Sequence, residues 1–117
     1  MLANTITLPV TGGDVVLTKK NESGGTSEYG LITSTLIWTL RVRHSTVKVG
    51  NEVYHRHNLE VVKTTLQAGD VPEYYQKFYF VLENKPGDVT VTMPDAVCDL
   101  AIASSNALLN SLVQNEA

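Results

Sequence analysis

His44, His55, His57 and Glu60 are the residues whose types and spacing first suggest chemistry. Imidazoles with a carboxylate nearby can hold a transition metal or move protons. On a strand, however, His55 and His57 share one face and Glu60 falls on the other. The simpler reading makes the histidines polar residues near the end of a buried face, bonded to backbone or to a partner chain. No serine sits in a strand-turn-helix elbow, and no glycine-rich loop opens a helix as a phosphate cradle. Cys98, the only cysteine, reads as a small apolar helix residue and allows no intrachain disulfide, which suits a reducing compartment. A third set of residues offers different chemistry. Arg41, Arg43, Arg56 and Lys77 can meet phosphates, Tyr54, Tyr75 and Tyr79 can stack on unpaired bases, and Thr39, Ser45 and Asn58 can bond base edges. The same residues could equally form a solvated sheet face with cross-strand pairs such as Arg41 with Glu60.

A hairpin from Leu36 to Leu66, turning at Gly50-Asn51, positions both sets. A two-residue Gly-Asn turn pairs Val49 with Glu52, Val42 with Leu59, Leu40 with Val61 and His44 with His57. Alternation then puts Leu36, Trp38, Leu40, Val42, Leu59 and Val61 on one side. Thr39, Arg41, Arg43, Ser45, Tyr54, Arg56, Asn58 and Glu60 take the other. The stretch from Tyr74 to Lys85 repeats the division, with Phe78, Phe80 and Leu82 opposite Tyr75, Lys77, Tyr79 and Glu83.

Around this hairpin, Thr5–Val10 and Val15–Lys19 predict a short N-terminal hairpin, with Pro9 confining its first strand to an edge. Lys20–Thr26 has no apolar residue and reads as an exposed loop. Ser27–Thr33 predicts a further strand, and Gln67–Glu73 a brief connection. After Pro86-Gly87-Asp88 the apolar period changes from two to about 3.6, predicting a helix. Thr92 would cap it, with Pro94 and Asp95 in its first turn. Val97, Leu100, Ala101, Leu108 and Leu112 form a stripe broad enough to be mostly buried, and Ser104-Ser105-Asn106 is the point where the helix would bend or split. The organisation is one domain over 1–117: hairpin 1–19, main sheet 27–85 and helix 92–113. Strands followed by a helix give an α+β fold.

The chain has 117 residues, 43% of them hydrophobic, and a net charge of −3. That charge excludes a protein coating nucleic acid with its whole surface, so any such role needs charge segregated onto one face. From Leu36 to Lys85 there are seven Lys/Arg against five acids, a small excess that permits an RNA-binding face. The sequence offers no cleavable signal, and no apolar run approaching about 18 residues, so no membrane partner is expected. Strands of such length outspan a helix of about 20 residues, leaving oily face uncovered, and the last strand leaves an open edge. Both features favour an obligate homodimer with one continuous sheet.

The sequence resembles the coat proteins of single-stranded RNA bacteriophages (leviviruses), and within them the Caulobacter RNA phage branch. The likeness is carried by Thr26-Ser27-Glu28-Tyr29, Arg41-Val42-Arg43-His44, Tyr54-x-Arg56-His57-Asn58-x-Glu60, Pro72-Glu73 and Gly87-Asp88-Val89, in order over about residues 5 to 110. The resemblance implies the RNA bacteriophage capsid protein fold: an N-terminal β-hairpin, a five-stranded antiparallel sheet and a C-terminal helix, interlocked as a homodimer with a ten-stranded sheet. It implies an icosahedral shell, commonly T=3, around single-stranded genomic RNA, found in the virion and assembled in the bacterial host cytoplasm. It further implies binding of a genomic RNA hairpin that represses translation, and a non-enzymatic role without cofactor or small-molecule substrate. A divalent cation between subunits stays open. By position, Thr39, Arg41, Arg43, Ser45, Tyr54, Arg56, Asn58, Lys77 and Tyr79 match the RNA-facing side. Gln67–Glu73 matches the loop at the fivefold and quasi-sixfold axes, but is short. Two other readings stand beside this one: a dimeric RNA-binding regulator that forms no shell, and a metal enzyme using His55-x-His57, which resembles the cupin motif but has Glu60 one residue too close.

Overall fold

The computed structural model describes residues 2–115 and falls into two compact units, Met1–Lys85 and Pro86–Ala117. The first is a curled antiparallel sheet of six strands in sequence order: β1 (Thr5–Leu8), β2 (Val15–Ser23), β3 (Thr26–Ile32), β4 (Leu36–Val49), β5 (Glu52–Thr65) and β6 (Tyr74–Asn84). The resemblance implied a separate hairpin beside a five-stranded sheet. Instead β2 pairs with β3, so the hairpin continues the meander and the strand count is six. The fold is α+β, consistent with the RNA phage coat fold.

The central register is the expected one. Val49 pairs with Glu52, His44 with His57, Val42 with Leu59 and Leu40 with Val61. Gly50 has φ +61° while Asn51 keeps a negative φ, as a turn with glycine first requires. β6 extends the alternation, pairing Phe80 with Leu59, Phe78 with Val61 and Tyr79 with Glu60. Between β5 and β6, Ala68 and Val71 exchange backbone bonds of 3.0 and 2.9 Å around Gly69-Asp70, which keeps that connection tight.

β2 departs from the sequence reading. It runs on to Ser23 through residues assigned above to an exposed loop, and Gly24-Gly25, both at positive φ, turns directly into β3. Polar composition concealed the strand because its far half packs against no core. The register shifts between Lys19 and Asn21, leaving Lys20 as the extra residue of a β-bulge.

Leu17, Tyr29, Leu40 and Val42 form the buried core, flanked by Ile6, Leu8, Val15, Leu31, Trp38, Leu59 and Val61. All lie on one face of the sheet. The segment before β1 crosses this face: Ala3 accepts a hydrogen bond from the Tyr29 hydroxyl, and Leu2 one from the Lys19 ammonium. That cover satisfies the one polar atom of a fully buried tyrosine. Towards β6 the face is open, with Phe78 56% and Phe80 46% exposed.

The second unit carries α1 (Thr92–Val113). Thr92 is its first helical residue rather than its cap; Val91 takes that position, and no side chain caps the helix. Asp95 lies in the first turn, where a carboxylate meets the positive end of the helix dipole. Ala103 is extended, and Ser104, Ser105 and Asn106 have φ of 54°, 58° and 67°, so α1 is two helical segments joined by a kink. Serine and asparagine tolerate this through local side-chain hydrogen bonding better than branched residues do. The broad apolar stripe was expected to be mostly buried, yet no residue of α1 is; Leu100 and Leu112 are each 59% exposed. The helix is also long and apolar enough, by composition, to cross a membrane. Asp95 and Asp99, with the serines and asparagines, interrupt it, so no continuous apolar run marks it in the sequence. The kink would leave backbone groups unbonded in a bilayer core, which argues against such a placement.

Candidate nucleic-acid interface

The polar face of the sheet is a set of cross-strand rows, fixed by the register. Thr26, Arg43, Asn58 and Val81 form one row; Glu28, Arg41, Glu60 and Tyr79 the next; Gly30, Thr39, Val62 and Lys77 a third. Beyond Arg43 towards the hairpin tip, Ser45 pairs with Arg56 and Arg56 with Glu83, and then Val47 with Tyr54.

Five of the residues named from sequence come together here. Arg43, Ser45, Arg56, Asn58 and Tyr79 line an open concavity of about 430 Å³, with Thr26, His44 and Glu60 completing its wall. Arg43 has no ion pair among the described residues, whereas Arg56 has a loose one, 3.9 Å from Glu83. Asn58 Nδ2 donates to the Phe80 carbonyl at 3.4 Å, which leaves its side-chain oxygen to accept from a ligand. Tyr79 is 59% exposed, with its ring available for stacking. A guanidinium beside hydroxyl, amide and aromatic groups can hold one phosphate and one unpaired base.

The other four lie apart from this concavity. Arg41 is held by two carboxylates, with Nε 3.5 Å from Glu28 and Nη1 3.2 Å from Glu60. It is therefore the cross-strand pairing residue that the solvated-face reading described, and its row carries a net negative charge. Thr39 and Lys77 lie beyond that row, and the Lys77 ammonium sits 5.9 Å from the centre of the Tyr75 ring. Tyr54 stands towards the hairpin tip. Sequence reasoning missed Thr26, placed in a loop, and Lys20, whose exposure over this face depends on the bulge.

The histidines make a linked network on the other face. His44 Nδ1 and His57 Nδ1 are 2.8 Å apart, and His57 Nε2 is 2.8 Å from Asn84 Oδ1. Asn84 Nδ2 donates to the Lys85 carbonyl, which turns Oδ1 towards His57. With Asn84 Oδ1 facing it, Nε2 of His57 is the donor of that bond, and a neutral His57 then presents Nδ1 as acceptor to His44. Within the chain these bonds run between side chains, because β6 brings Asn84 beside the pair. His55 stacks edge-on at 6.3 Å, and Glu60 is engaged with Arg41 on the opposite face. Among the described residues, no group of three or more His, Cys, Asp or Glu side chains could hold a metal ion.

The six-stranded antiparallel meander followed by a helix is consistent with the class of RNA phage coat proteins. Residues 3–85 match the family model described as phage phiCb5, coat protein, and the chain belongs to that family. The match ends where the first compact unit ends, so it covers the sheet and the whole polar face. No curated protein matches the chain. Family membership makes this a structural capsid protein of an RNA phage virion.

Proposed function

We propose that the chain is an obligate homodimer whose dimers build an icosahedral shell around single-stranded genomic RNA, with the polar face turned inward. The observation that carries this reading is the division of one sheet into unlike faces, each with an unmet requirement. The apolar face leaves Phe78 and Phe80 about half exposed, and β6 offers eleven residues of unpaired edge. An exposed, apolar edge of that length is a template for another strand. A second β6 running antiparallel satisfies it and extends the sheet, and the apolar stripe of a partner's α1 is suited to cover the open face. On the opposite face, the Arg43 concavity supplies phosphate and base contacts. Within this reading it receives an unpaired nucleotide of an RNA hairpin, by which the dimer represses translation and marks the genome for packaging.

Expression of the full chain in bacteria tests the proposal. Electron microscopy should show closed particles, and RNA inside them should survive nuclease. A dimer that binds RNA yet forms no particles would favour a regulator instead. A small RNA-free species under mild conditions would overturn both.

A further inference from the structure

Consecutive lysines on β2 have opposite fates. Lys19 faces the apolar side, where its ammonium donates to Glu22 at 3.0 Å and to the Leu2 carbonyl at 3.3 Å. Lys20, the bulge residue, lies across the other face. It rests on Gly30: a methyl group there would come within 2.6 Å of Lys20 Cε and 2.8 Å of its Nζ. Gly30 keeps an ordinary strand φ, so its lack of a side chain serves this close approach rather than a turn. The Lys20 ammonium has no ion pair among the described residues. Glu28, which pairs with the adjacent Asn21 and shares this face, directs its carboxylate to Arg41 at 3.5 Å.

Lys20 thus lies over the row of Gly30, Thr39 and Lys77, across the net-negative Glu28–Arg41–Glu60 row from the Arg43 concavity. We propose that Lys20 is a phosphate-contacting residue of the polar face, held there by the β2 bulge and by Gly30, so that backbone phosphates of single-stranded RNA are met on both sides of the Glu28–Arg41–Glu60 row. Lysine suits this task as a compact point charge that needs no fixed partner geometry. The Thr39 hydroxyl and Lys77 continue the same track across the sheet. The inference rests on the reading of this face as RNA-binding and adds a residue to it.

The test uses the full chain freed of nucleic acid by high salt, with binding of a short labelled polyuridine followed by fluorescence anisotropy across a salt series. Lys20→Ala should lower the slope of log affinity against log salt by about 0.7, the loss of one phosphate contact on a single strand. Lys20→Arg should restore it. Lys85→Ala, removing a lysine that pairs with Glu52 away from this track, should leave the slope unchanged. A wild-type slope for Lys20→Ala, with a lowered slope for Arg43→Ala, would overturn the role of Lys20 alone. Slopes unchanged in both would overturn the RNA-binding reading of the face.

Discussion

Lys19 Nζ lies 3.0 Å from Glu22 Oε2, although residues three apart on a regular strand point to opposite faces. The bulge at Lys20 resolves the contradiction by adding one residue, so that Lys20 and Asn21 fall together on the polar face and Glu22 returns to the apolar one. The same insertion makes the ion pair and delivers Lys20 to the opposite surface.

This pair sets a pH dependence. The hydrogen bond to Glu22 holds the Lys19 ammonium above its ordinary range. A group whose pKa is raised on folding adds stability that is complete below its unfolded pKa and is lost as pH rises through its folded one. Denaturant titrations should therefore show wild type losing more stability than Glu22→Gln between neutral and strongly alkaline pH. Parallel curves for the two proteins would contradict this.

Arg41 bridges β3 and β5 through Glu28 and Glu60. Arg41→Ala leaves two carboxylates flanking β4 without a cation, and should cost about 1 kcal/mol, limited by its partial exposure. Its effect on the salt slope of RNA binding should be smaller than that of Arg43→Ala, because Arg41 is already neutralised. A larger effect from Arg41 would show that RNA displaces the carboxylates.

Tyr79 and Tyr29 separate site from scaffold. Tyr79→Ala should weaken RNA binding by about 1–3 kcal/mol, the value of a stacked base, while thermal melting changes little. Tyr29→Phe removes only the hydroxyl that donates to Ala3, and should cost about 0.5–1.5 kcal/mol of stability with RNA affinity retained.

Leu40 sits at the centre of the core with 2% exposure. Leu40→Ala should cost about 2–5 kcal/mol, read by chemical denaturation. Phe80→Asp, at the open end of the same face, should instead leave the sheet folded and shift sedimentation from dimer to monomer. An unshifted Phe80→Asp would place the dimer contact elsewhere.

The Leu36–Leu66 hairpin was legible in the sequence down to its register, because Gly50-Asn51 fixes the pairing and a period of two leaves one way to gather Leu40, Val42, Leu59 and Val61. The two-faced division of β4, β5 and β6 follows from the same alternation. Local pattern did not reveal the second half of β2, since Lys20–Ser23 carries no apolar signal and is a strand only because β3 pairs with it. The hairpin register already sets Glu60 opposite Arg41, the pair offered by the solvated-face reading, but the second carboxylate on Arg41, Glu28 from β3, depends on which strand comes to lie beside β4. The histidine network likewise waits for Asn84 of β6. Strand identity and facing are properties of near neighbours in the chain, and so the sequence alone determined them. The bulge, the pairing of charges and the seat of Lys20 on Gly30 depend on which strands come to lie side by side, and only the tertiary structure decided them.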